Sequence, residues 1–369
     1  MFAYLSSKTR KLKRRFWLAT DFIQKRQVRI NYQPVPGRKS AKAERLVEYC
    51  LGDFSHQPVP TCSGQRRYLR QRLVLLLETS GNVATTSANR ARNNRDTKKI
   101  VSALISQRAK IPSNLRAWLI RGDGAGAHSD PAQGVHLTGM RSTSRRDLVL
   151  APTGCRNRLL GPALKQQMAE LKQLWVPWDK KSNTAWWGGA LTGDCWNNSS
   201  SAVLTRRNFL EYFTQQPSEK VSCHLTELPM KARPVPGLKL QASFSKQSAF
   251  RHKCLLLLPG NDIASGSSWY FCGNSVVLMP EPTLEHILHF EMEAWEHYIP
   301  LDPDPADVLV KLQWVIENPI KAQKIVANSH ERLRWLCGDE YLWACNEVLR
   351  RIAESQTEQS PENSGQQVD

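Results

Sequence analysis

The chain has 369 residues, 41% of them hydrophobic, with 51 Lys and Arg against 33 Asp and Glu for a net charge of +18. That length suits two domains of ordinary size, and the apolar fraction excludes a wholly disordered chain. The charge is local: residues 1–110 hold 24 Lys and Arg against 6 Asp and Glu, so the remainder balances at zero.

In chain order, residues 1–30 predict a basic amphipathic helix, with Leu5, Leu12, Phe16, Ala19, Phe22 and Ile23 near one face. Such a helix suits an anionic membrane surface, nucleic acid, or simple packing on its own domain. Residues 31–64 carry Pro34, Pro36, Pro58 and Pro60 and read as connections, 65–78 as helix or strand, and the polar 79–99 as an exposed loop. From residue 100 the texture changes. Short apolar segments at 117–120, 135–138, 147–152, 184–187, 253–260 and 275–280 alternate with helical patterns at 161–174, 205–215 and 306–317. This alternation predicts α/β layers with mostly parallel sheets, whose ligands bind beyond the strand C-termini. A further helix follows Pro319, and 354–369, with one Val among polar residues, is expected to be disordered.

The nine cysteines form no CxxC pair and no zinc-like spacing, which predicts reduced thiols and no metal site. No signal peptide is recognisable, and the longest apolar run, CLLLLP, is too short to span a bilayer. The expectation is a cytoplasmic protein, with the basic N-terminal region as a means of peripheral contact with an anionic membrane.

Residues 253–301 are the most informative. Read physically, they are a strand, the turn PGND, the small residues Ala264, Ser265, Gly266, Ser267 and Ser268, a second strand and a Pro-punctuated loop. Small residues beyond a strand permit close backbone approach to an anion such as a diphosphate, although Ser-rich segments also cap ordinary helices. The succession GND, IAS, GNSVVLMPEP and HYIPL, followed by ADVLVKLQWVIENPIKAQKIVANSH, resembles glycosyltransferase family 90. TAWWGGALTG with TRRNFLEYF, and more faintly GMRSTSRRDLVLAP and LRAWLIRGDGAG, extend the resemblance from about residue 110 to 337.

The resemblance implies a GT-B-like α/β architecture, two Rossmann-like domains facing a cleft, behind a basic N-terminal extension. Residues 1–110 would be that basic region, standing apart or contributing to the acceptor side. Residues 111–180 would form the acceptor-side domain, 181–353 the nucleotide-sugar domain with its C-terminal helices, and 354–369 a tail. The implied reaction is metal-free inverting transfer of glucose or xylose from a UDP-sugar to a hydroxyl of a glycan, lipid-linked saccharide or lipopolysaccharide-type acceptor. UDP-sugar serves as donor substrate, and there is no cofactor. Inversion needs a general base, and Asp123 in RGDG is the candidate, unless that stretch is only a turn. Carried over by position, donor contacts fall on Thr192, Gly193, Arg207 (or its neighbour Arg206), Asp262, Ala264, Ser265, Asn274, Ser275 and Glu285. Trp187 or Trp269 would stack on a base or sugar, or lie in the core, and His297 and Tyr298 would shape the cleft.

The chain departs from the family pattern where charge matters. The Arg of the family's WRG is Gly188, the Lys after the donor-turn Ser is Ser268, and the Pro before HY is Ala294. Losing two cations beside a diphosphate removes charge-assisted hydrogen bonds to the leaving group. A degenerate member that binds nucleotide-sugar or glycan without turnover is therefore the alternative. Nucleic-acid binding by residues 1–110 rests on charge alone, with no reading motif.

Overall fold

The computed structural model describes residues 23–29, 37–54, 74–80, 83–89, 114–120, 134–151, 160–193, 203–229, 232–261 and 263–358. The first sheet takes β1 (Ile23–Arg29), β2 (Val74–Ser80), β3 (Val83–Asn89), β4 (Arg116–Ile120), β5 (His136–Thr138) and β7 (Val149–Leu150) in the order β1-β3-β2-β4-β5-β7. Its β1, β3, β2 and β4 pair antiparallel, while β4, β5 and β7 run parallel. Three of its strands thus come from residues 1–110 and pair into the sheet that β4 begins. Helix α1 (Ala41–Leu51) packs against this sheet, started by Ser40, whose hydroxyl accepts from the Ala43 amide at 3.1 Å.

Two sequence expectations fail here. Residues 23–29, assigned to a helix, are the edge strand β1, and residues 1–22 lie outside the described residues. The period-two backbone of IQKRQVR pairs along its length with β3. The stretch assigned to a loop at 79–99 contains the end of β2 and all of β3. Ser80 pairs with Val83, so β2 and β3 are antiparallel neighbours, with the β-branched residues of VATTSAN in the second strand.

The second sheet is entirely parallel. It contains β8 (Ser182–Ala190), β9 (Val221–Glu227), β10 (His252–Leu256), β11 (Val276–Pro280) and β13 (Ile299–Leu301) in the order β13-β11-β10-β8-β9. Period-two alternation sorts its apolar residues between two cores. Trp186, Leu255, Val277 and Met279 face one core, while Ala185, Trp187, Cys254, Leu256, Val276 and Leu278 face the other. Burial on both faces explains why these strands read as continuous apolar runs. Helices α2 (Gly161–Lys172), α4 (Lys246–Ala249) and α5 (Ser267–Phe271) line the first face; α3 (Arg206–Gln215) and α6 (Asp307–Glu317) line the second.

Helix α7 (Pro319–Trp335) begins on the second face and reaches the first with Leu333. Helix α8 (Asp339–Glu358) then crosses back to the first sheet, where Arg351 pairs with Glu44 at 3.0 Å and Glu48 at 2.6 Å on α1. The Gln356 side-chain amide bonds both the amide (3.0 Å) and the carbonyl (2.6 Å) of Arg116, completing the backbone pairing of β4. Those contacts carry the helix through residue 358, beyond the point where disorder is expected from composition. Residues 359–369 lie outside the described residues. A two-stranded ladder, β6 (Arg141–Ser142) with β12 (Leu284–Glu285), joins the segment following β5 to the segment following β11. The result is a mixed α/β protein with parallel sheets. Among the described residues, no helix is long and apolar enough to cross a membrane.

Candidate functional site

In chain order the strands of the second sheet run 2-1-3-4-5, with the order reversing between β8 and β10. At such a switch point the two strands lead into helices on opposite faces, which opens a crevice beyond their C-terminal ends. Here β8 leads to α3 on one face, and β10 leads to α5 on the other.

Thr192 and Gly193 follow β8 at this crevice. The Thr192 hydroxyl accepts from Arg206 Nη1 at 2.6 Å, and the Gly193 amide donates to Asn261 Oδ1 at 2.9 Å across the gap. Gly193 has φ +109°, and a Cβ there would stand 3.1 Å from the Gly260 carbonyl oxygen, so glycine is required by both conformation and space. Arg206 also donates to the carbonyls of Ala190 (2.8 Å) and Leu258 (3.2 Å). Ala264 and Ser265 continue the β10 side. Ala264 is half-buried, Ser265 is exposed, and the Ala264 carbonyl accepts from the Ser267 amide at 3.0 Å. The structure therefore brings Thr192, Gly193, Ala264 and Ser265 to one crevice, and adds Arg206, Gly260 and Asn261.

The other sequence candidates lie elsewhere. Arg207 turns along α3 to Glu211 (2.8 Å) and the Arg233 carbonyl (2.6 Å). Asn274 and Ser275 stand at the N-terminal end of β11, about 17 Å from its C-terminal edge at ~3.3 Å per residue. Asn274 donates to the Val176 carbonyl at 2.7 Å, while buried Ser275 bonds the His252 carbonyl (2.7 Å) and Lys181 Nζ (2.9 Å). Glu285 joins the ladder: its carboxylate meets Arg141 Nε at 2.6 Å and Arg146 Nη1 at 3.2 Å. Arg141 is fully buried and also donates to the Tyr49, Cys50 and Leu148 carbonyls. Asp123 and Asp262 lie outside the described residues.

Aromatic side chains crowd the space beside Gly188, the position that the resemblance matches to an arginine. A Cβ at Gly188 would meet Cη2 of Trp186 at 2.4 Å and Cε1 of Phe244 at 2.7 Å. Trp186 and Phe244 pack edge to face with ring centroids 4.6 Å apart, and Trp269 lies beside both at 6.4 Å. Burial pushes the pKa of the Tyr270 hydroxyl up, and Arg206 and the Gly188 backbone oppose that shift. Ser267 and Ser268 are fully buried. Trp187 lies in the core, packed on Phe209 of α3, which excludes it as an exposed stacking surface. His297 and Tyr298 enter β13: the His297 ring accepts from the Glu293 amide at 3.0 Å, and Tyr298 is buried.

Comparison with known proteins relates the segment that carries this crevice to a family. Residues 161–340 match glycosyl transferase family 90. The O-glucosyltransferase LpsA of Dichelobacter nodosus is 28% identical over 174 residues, which are 47% of this chain and 49% of the relative. Protein O-glucosyltransferase 3 of Homo sapiens is 28% identical over 121 residues, and protein O-glucosyltransferase 2 of Danio rerio is 26% identical over 120. Each of those two stretches is 32% of this chain and 24% of the relative. The match thus spans about half the length of the bacterial relative and a quarter of the vertebrate ones. Through residues 161–340 the chain belongs to glycosyl transferase family 90.

Proposed function

We propose that the chain is a glycosyltransferase that binds a UDP-sugar at the β8/β10 crevice and transfers the sugar, with inversion, to a hydroxyl of a glycan or lipopolysaccharide-type acceptor. The observation that carries this reading is the switch point itself. Two glycine-bearing strand exits, Thr192–Gly193 and Gly260–Asn261, meet there within a family whose similar members are named O-glucosyltransferases. Those names favour glucose as the transferred sugar over xylose. The β6–β12 ladder supports a GT-B-like arrangement, because it joins chain that leaves the C-terminal ends of β5 and β11. Asp123, which follows β4, is the proposed general base; it would take the acceptor's proton as the glycosidic bond to UDP breaks. The basic residues 1–110 would bring the enzyme to an anionic membrane at the cytoplasmic side.

A second reading, binding without turnover, is favoured by one observation: Trp186 and Phe244 occupy the space beside Gly188, so no cation approaches the crevice from that position. UDP release from UDP-glucose and from UDP-xylose, measured beside Asp123→Asn, separates the two. Turnover that Asp123→Asn abolishes supports the transferase with its base. UDP binding without release in any acceptor pool supports the second reading, and absence of nucleotide binding sinks both.

A further inference from the structure

We propose that Arg206 is a positioning residue for the donor crevice, setting its width by tying the exits of β8 and β10 together; the inference rests on the donor reading above. Arg206 opens α3, but its guanidinium turns back across the sheet edge. It donates to the carbonyl of Ala190, the last residue of β8, at 2.8 Å and to the Thr192 hydroxyl at 2.6 Å. From the same plane, Nε and Nη2 both reach the carbonyl of Leu258, two residues beyond β10, at 3.2 Å. One rigid fork thus spans two neighbouring strand exits, a geometry that the single ammonium of lysine cannot reproduce.

The rest of the crevice is built around this tie. A Cβ at Gly260 would stand 2.7 Å from the Thr192 hydroxyl and 3.0 Å from Arg206 Nη2, so the fork and the hydroxyl leave room only for hydrogen. The Gly193 amide closes the same gap from the other side through Asn261. Without the guanidinium, the Leu258 carbonyl loses both of these donors and the Ala190 carbonyl keeps only the Thr192 amide at 3.0 Å, so the rim carbonyls must find other partners or turn toward the ligand. Carbonyl dipoles turned toward a diphosphate repel it. Arg206 therefore acts through the loops and does not need to touch the donor.

The test is calorimetric titration of the full chain with UDP and UDP-glucose, comparing wild type, Arg206→Met, Arg206→Lys and Gly260→Ala, with the unliganded melting temperature of each. The expected result is affinity lowered about tenfold or more in all three variants, since small misplacements of binding groups carry penalties of that size. Arg206→Lys should stay within about threefold of Arg206→Met, because the fork and not the charge is lost. Gly260→Ala keeps the cation and disturbs the tie from the opposite side, so it tests the idea even where Arg206→Met does not fold. Wild-type affinity in folded Arg206→Met or Gly260→Ala, or full rescue by lysine, would overturn the proposal. A melting temperature lowered with affinity intact would mean that Arg206 is merely structural. If wild type binds neither ligand, the donor reading itself fails, and this inference falls with it.

Discussion

At position 188 a missing side chain has become part of the packing. Introducing a cation by Gly188→Arg would force a Cβ to within 2.4 Å of Trp186, a ring that is 3% exposed. Overpacking of this kind costs about 1–3 kcal/mol, so the variant should melt lower and gain no donor affinity. Adding Phe244→Ala, which clears one of the two obstructing rings, should recover part of the loss. A melting temperature equal to wild type for Gly188→Arg alone would show that the rings move aside freely. Lys181 supplies a second residue-scale prediction. It is 5% exposed, donates to the Phe250 carbonyl and Ser275, and burial lowers its pKa from 10.5 to about 7. Between pH 7 and 10.5 the unfolded chain holds this proton and the folded chain does not, so this group makes stability rise with pH across that window. Lys181→Met removes the contribution. The stability of wild type relative to the variant, from denaturant unfolding at pH 7 and pH 9.5, should shift toward wild type at the higher pH. A gap independent of pH would mean that the ammonium stays charged in the fold.

Among elements, the decisive join is the β6–β12 ladder. Arg141, with no exposed side-chain surface, meets a Glu285 side chain only 13% exposed. Removing one partner of a buried pair costs up to about 3–5 kcal/mol, here limited because Arg146 still meets Glu285 and three carbonyls still accept from Arg141. Arg141→Met and Glu285→Ala should each destabilise by an amount below that limit, while the double variant should cost well under the sum. Denaturant midpoints for the three proteins check this, and simple additivity would rule the join out. The same pair shows what sequence can and cannot reveal. Strands β4, β5, β8, β10 and β11 and helices α2, α3 and α6 were legible because their apolar periods are local properties of the chain. Ala264 and Ser265 were legible as small residues after a strand, whereas Thr192 and Gly193 came only from the family resemblance. The partnership of Arg141 with Glu285 was not, since it joins positions 144 residues apart in sequence. Nor was the choice between Arg206 and Arg207, adjacent cations whose directions are set by the turn into α3. The Gly-Asn pair between β2 and β3 was a readable hairpin signal, obscured by the basic residues that follow it.

For the whole molecule, the question is whether the two sheets behave as separate units. One hydrophobic core contains Leu77, Ala117, Leu137 and Val149 from the first sheet and Trp186, Leu255, Val277 and Met279 from the second. Helix α8 adds Tyr341, Val348, Leu349 and Ile352 to that core after the chain has already completed the second sheet. The closing of the first sheet's core therefore waits on the last described helix. A chain of this length with two independent cores would be expected to unfold in two steps. With the core shared and the ladder fastening it, unfolding of this protein should be a single transition. Far-UV circular dichroism and tryptophan fluorescence, reporting on Trp118 in the first sheet and Trp186 and Trp187 in the second, should give coincident curves in guanidinium. Leu137→Ala, a buried deletion in the first sheet expected to cost about 2–5 kcal/mol, should move both curves together. Two resolved transitions, with Leu137→Ala displacing only one, would mean that the sheets fold apart and that the crevice on the second sheet can form without the first.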